Sequence, residues 1–167
     1  MDIPRIFTIS ESEHRIHNPF TPEKYATLGR VLRMKPGARI LDLGSGSGEM
    51  LCTWARDHGI NGTGIDMSQL FTAQAKQRAE ELGVSERVHF IHNDAAGYVT
   101  DEKCDVAACV GATWIAGGVA GSVGLLAKSL KPGGMILIGE PYWRQVPATE
   151  EIAQACGVSS KADFLTL

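Results

Sequence analysis

Apolar residues along this chain follow two rhythms. Short, nearly unbroken apolar runs occupy residues 39–43, 62–65, 88–91, 105–110 and 135–138. Runs of this length bounded by glycine, proline or charge read as buried strands. Longer stretches between them repeat at helical spacing. In 21–34, Thr21 is an N-cap, Pro22 takes the first helical position, and Tyr25, Leu28 and Leu32 share a face before Lys35-Pro36-Gly37 stops the helix. In 49–57, Leu51, Cys52 and Ala55 line one side and Gly59 ends the run. Ser68 caps a helix that continues to Leu82 and stops at Gly83. A helix over 114–130 is weakened by Gly117, Gly118, Gly121 and Gly124, and Lys131-Pro132-Gly133-Gly134 reads as a turn before the fifth strand. Residues 149–155 read as a short helix stopped by Gly157.

Strand and helix in alternation predict an α/β fold, with parallel strands joined by right-handed crossovers. In such sheets ligands sit at the carboxyl ends of the strands, so those ends carry the search for chemistry. Composition adds little to this picture. A net charge of −3, with Lys and Arg scattered, gives no electrostatic footprint for nucleic acid or membrane. No run reaches membrane-spanning length and no secretory signal opens the chain. Cys52, Cys104, Cys109 and Cys156 lack C-x-x-C spacing, so they read as reduced, mostly core thiols of a cytoplasmic protein. His58, His89 and His92 have no metal-ligand spacing, so no metal is expected.

The first strand leads into Asp42-Leu43-Gly44-Ser45-Gly46-Ser47-Gly48-Glu49. Glycines at alternate positions let the backbone turn sharply and approach a ligand, and their amides open a helix that favours carboxylate or hydroxyl oxygens. A dinucleotide loop reads G-x-G-x-x-G; here the third glycine comes one position earlier and an acid precedes the first by two. Strand two ends at Asp66-Met67-Ser68, and strand three is followed by Asn93-Asp94-Ala95.

The D-x-G-x-G-x-G pattern of Asp42, Gly44, Gly46 and Gly48 resembles the first motif of class I S-adenosylmethionine-dependent methyltransferases. The resemblance extends over roughly residues 20–143. It implies a three-layer αβα, Rossmann-like methyltransferase sheet with S-adenosyl-L-methionine as cofactor. It further implies that Asp42, Gly44, Ser45, Gly46 and Gly48 approach the cofactor, and that Asp66, with Met67 beside it, binds the ribose hydroxyls. Asn93, Asp94 and Ala95 would meet the adenine, and Val110 and Gly111 the methionine part. The expected reaction moves a methyl group to a small-molecule acceptor. Should that acceptor have to lose a proton, the base candidates are His14, His17, Glu140 and Tyr142.

The resemblance also divides the chain into an N-terminal lid and helix at 1–38, a cofactor-binding core at 39–145 and the start of a C-terminal part at 146–167. The family's sheet has seven strands. Too little chain follows strand five for both of the last two, so they are expected to be missing. The sequence then reads as C-terminally truncated, with an exposed sheet edge open to a homo-oligomer. An inactive cofactor-binding remnant and an aminopropyl- or cyclopropane-forming relative stand as alternatives on the same fold.

Overall fold

A computed structural model describes residues 4–155, 160, 162, 165 and 166. Its centre is a five-stranded, wholly parallel sheet in the order β3-β2-β1-β4-β5. The strands are β1 (Arg39–Leu43), β2 (Asn61–Asp66), β3 (Val88–His92), β4 (Cys104–Val110) and β5 (Leu130–Gly139). Before the sheet come α1 (Arg5–Glu11) and α2 (Pro22–Val31); α3 (Glu49–His58), α4 (Gln69–Glu81) and α5 (Val119–Ala127) are interleaved with it. The α/β, Rossmann-like architecture expected from the alternation is the one formed.

Local signals act where they were read. The Thr21 side chain accepts from the Lys24 amide at 3.4 Å with Pro22 at N1, and the Ser68 hydroxyl accepts from the Phe71 amide at 3.3 Å. Gly59 closes α3 in the left-handed region. β1 and β4 are buried along almost their whole length because helices cover both faces. One face packs Ile40, Phe90 and Val106 against Leu51, Trp54 and Ala75 of α3 and α4. The opposite face packs Leu41, Leu43, Ile65 and Ala107 against Leu125 and Leu126 of α5. Alternate residues of β1 thus serve two cores, which is the three-layer arrangement.

Two expectations are corrected. The stretch 114–130 is not one helix: a 3₁₀ turn (Thr113–Ala116) ends at Gly117, whose φ is +75°, and α5 starts only at Val119. Positive φ at Gly117 and Gly118 breaks a helix that the apolar spacing alone would have joined. Lys131–Gly134 is not a turn outside the sheet but an irregular part of β5. From Cys104 to Val106 on β4 the pairing passes from Leu130 to Met135 on β5, so the extra residues loop out where Pro132 has no N–H to give and Gly133 has φ +79°.

After β5, which forms an edge of the sheet, β6 (Tyr142–Trp143) pairs in parallel with β7 (Leu165–Thr166) as a separate two-stranded ribbon, and α6 (Glu150–Ala155) lies between them in sequence. The described residues place no sixth strand in the main sheet. Gly157, Cys156, Phe164 and Leu167 lie outside the described residues. No helix among the described residues is long and apolar enough to cross a membrane.

Candidate functional site

Strand order reverses between β1 and β4, and open parallel sheets bind ligands at such a switch point. The molecule has a cavity of about 590 Å³ there, within the range that holds a cofactor-sized ligand. Asp42 reaches it from β1 and Gly44 from the loop that follows, Asp66 from β2, Asp94 and Ala95 from the loop after β3, Val110 from β4 and Gly111 from just beyond it. Ser45, Gly46 and Met67 complete the part foreseen from the sequence.

The glycine loop is built on the end of β2. The amides of Gly44 and Ser45 donate to the Ile65 carbonyl at 2.8 and 3.1 Å, and the Gly46 amide donates to Asp66 Oδ2 at 2.8 Å. Asp66 Oδ1 accepts from the Ser68 amide at 2.8 Å. The Asp66 carboxylate is therefore oriented by two backbone amides and keeps lone pairs for a ligand. Gly44, at φ +78°, lies so close to β4 that a Cβ would stand 2.6 Å from Ala112 Cβ.

Asp42 is in a different state. It is buried, and its Oδ1 has no hydrogen-bond partner among the described residues. Burial, and then the Asp66 charge, push its carboxyl from 3.8 up to about 7. A cavity with three strand-end carboxylates, one of them unpartnered, is matched to a ligand carrying positive charge and hydroxyl or amino donors. S-adenosylmethionine has these groups: a sulfonium, an ammonium, a ribose diol and an adenine amine.

The N-terminal segment covers the mouth. Gln74 Nε2 donates to the Ser12 carbonyl at 2.7 Å, Arg15 pairs with Glu81 at 3.2 Å, and the His17 ring lies 4.1 Å from the Phe71 ring. His17 Nε2 is 3.0 Å from both the His14 carbonyl and Ser47 Oγ, which fixes the proton on Nε2. Desolvation pulls the His17 pKa below its ordinary 6.5, so the imidazole is neutral near pH 7.

Five of the sequence candidates do not line the cavity. Gly48 serves packing, since a Cβ there would meet Phe90 Cζ at 2.6 Å and Ala75 Cβ at 2.8 Å. Asn93 turns its Oδ1 to the Asp94 amide at 2.9 Å. His14 is exposed and paired with Glu11 at 3.0 Å. Glu140 accepts from the Thr113 hydroxyl, and Tyr142 is exposed on β6. Of the four base candidates only His17 lines the cavity.

Sequence reasoning missed Glu49, Met50 and Phe71, which also line it. All three sit in the first turn of a crossover helix that starts at a strand end, a position that could have singled them out. Glu49 is held by Arg78 through bonds of 2.7 and 3.1 Å. Tyr25, read as a helix-core residue, also reaches the cavity. Its hydroxyl accepts from Asn18 Nδ2 at 2.9 Å, and burial raises its pKa to about 12. Phe7, Trp114 and Ile115 line the outer part. No cluster able to hold a metal ion occurs among the described residues.

Comparison with known proteins identifies the family. Residues 40–134 match the model of a methyltransferase domain. The chain is 90% identical over all its 167 residues to the uncharacterized protein YjhP of Escherichia coli (strain K12), of which it covers 67%. It is 76% identical to a SAM-dependent methyltransferase from Geobacter sulfurreducens, solved in complex with S-adenosyl-L-homocysteine; the match covers 99% of this chain and 66% of that one at a TM-score of 0.98. A Thiobacillus denitrificans SAM-dependent methyltransferase, solved with the same molecule, is 73% identical at a TM-score of 0.97, with 99% of this chain and 67% of that one covered. The chain spans about two thirds of the length of these three relatives. It belongs to the methyltransferase domain family, as a class I S-adenosylmethionine-dependent methyltransferase on the Rossmann-like fold.

Proposed function

We propose that this chain holds S-adenosylmethionine in the strand-end cavity and passes its methyl group to a small-molecule acceptor. The observation that carries the reading is the buried, unpartnered Asp42 carboxylate beside Asp66, in one cavity with Asp94. Bound there, the cofactor supplies a methyl group on a positively charged sulfur that is already a good leaving group. The protein's part is alignment and the exclusion of water.

In this reading Asp66 accepts from the ribose hydroxyls and Asp94 from the adenine amine. The backbone of Gly44, Ser45 and Gly46 borders the methionine part, and Val110 and Gly111 lie against it. When the acceptor must lose a proton, His17 takes it at Nδ1, for which no partner occurs among the described residues. Residues 1–38 act as the lid, 39–145 as the cofactor core, and the C-terminal part begins at 146. Buried, unpaired thiols at Cys52, Cys104 and Cys109 fit a reducing, cytoplasmic compartment.

Isothermal titration with S-adenosylmethionine, S-adenosylhomocysteine and NAD tests the cofactor assignment. Binding of both adenosyl ligands and not NAD is expected; the reverse outcome would end it. Transfer of label from methyl-labelled cofactor into a small-molecule extract tests the reaction.

A further inference from the structure

The outer half of the cavity differs in chemistry from the strand-end half. No residue of α1 is buried, and Ile6, Phe7 and Ile9 lie exposed on it. Phe7 is 55% exposed and Trp114, on the 3₁₀ turn after β4, is 66% exposed, yet both line the same cavity as Asp42. Exposed large apolar rings at the rim of a cavity mark a place where an apolar ligand completes the surface. Behind them Ile16 and Ile115 continue the apolar wall inward.

Charge narrows the class of ligand. Arg15, the one arginine among the described residues of the cavity, is committed to Glu81 at 3.2 Å, and Glu11 is committed to His14 at 3.0 Å. An anionic acceptor would find no uncommitted cation among the described residues there and would face the carboxylates at the strand ends. A cationic acceptor would have to share the cavity with the sulfonium that those carboxylates serve. Neither charge is favoured.

We propose that the methyl acceptor is an uncharged, largely apolar small molecule, seated against Phe7 and Trp114 at the mouth of the cofactor cavity. This rests on the cofactor assignment made under Proposed function. The lid then has two tasks: it shuts water from the transfer and provides half of the acceptor's apolar bed.

The probes are neutral N-phenyl-1-naphthylamine and its anionic counterpart 8-anilino-1-naphthalenesulfonate, titrated by fluorescence with and without saturating S-adenosylhomocysteine. The proteins are the whole chain and its Phe7→Ser, Trp114→Ala and Val31→Ser variants. Val31 is 69% exposed outside the cavity and controls for apolar surface in general. The neutral probe should bind at one site, keep binding when S-adenosylhomocysteine is present, and bind more tightly than the anion. Phe7→Ser and Trp114→Ala should each weaken it about tenfold, the loss expected when one aromatic wall is removed. Val31→Ser should leave it unchanged. Displacement by S-adenosylhomocysteine, indifference to both cavity substitutions, or equal binding of the anion overturns the acceptor class while leaving the cofactor assignment intact. Absence of calorimetric binding by S-adenosylhomocysteine overturns both.

Discussion

Asp42→Asn removes the charge that the folded chain accommodates worst. The carboxyl titrates at about 7 in the fold against 3.8 for an ordinary aspartate. Roughly three pKa units correspond to about 4 kcal/mol of opposition to ionisation at high pH. The sign follows from proton counting. Between about pH 4 and 7 the folded chain keeps a proton that the unfolded chain has released, so stability falls as pH rises through that window. Above it the whole cost is felt. Asparagine carries no charge but brings a buried amide whose unmade bonds cost about 1–3 kcal/mol. The net gain at pH 8 is about 2 kcal/mol, or a rise in melting temperature of about 4–8 °C for a domain of this size. At pH 4, where Asp42 is protonated in the fold, the variant and the parent should melt together or the variant slightly lower. Thermal melts of the ligand-free chain from pH 4 to 8.5 read this directly. The same variant should bind S-adenosylmethionine more weakly, because a carboxylate facing a cation has become a neutral amide. An offset that does not change with pH, or a variant less stable at pH 8, would refute the placement of an unpaired charge at Asp42.

Four further outcomes are expected. Asp66→Ala should weaken S-adenosylhomocysteine binding by about 1–3 kcal/mol in calorimetry, through lost ribose bonds and a glycine loop no longer held at Gly46; unchanged affinity would move the ribose elsewhere. Gly44→Ala puts a Cβ 2.6 Å from Ala112 Cβ at a φ of +78°, which should cost about 2–4 kcal/mol in a denaturant melt and weaken cofactor binding. Arg78→Met strands Glu49, whose side chain is only 9% exposed, and should destabilise by about 3 kcal/mol, with much of that recovered when Glu49→Gln is added. For an acceptor that must lose a proton, the rising limb of the pH–rate profile should lie below 6.5, since desolvation lowers the His17 pKa and the base works when neutral; His17→Ala should abolish the limb.

What the sequence disclosed and what it concealed divide along the range of the interactions. Asp42, Gly44, Asp66 and Asp94 were legible because each stands at a strand end, and in a parallel sheet the strand ends meet at one place whatever the packing details. The break at Gly117 and the looped-out Pro132-Gly133 were misplaced because glycine and proline mark a departure from regular structure without saying whether the chain leaves the sheet or merely bulges from it. The N-terminal segment was harder still. His14 and His17 stand three residues apart in one short segment, yet one is exposed against Glu11 and the other is pressed onto Phe71 and Ser47. That difference comes from contacts with α4 and the glycine loop, thirty or more residues away, and no local spacing records it. Under the proposed function, the cofactor end of the cavity follows from topology, whereas the acceptor end follows from how one short N-terminal segment docks.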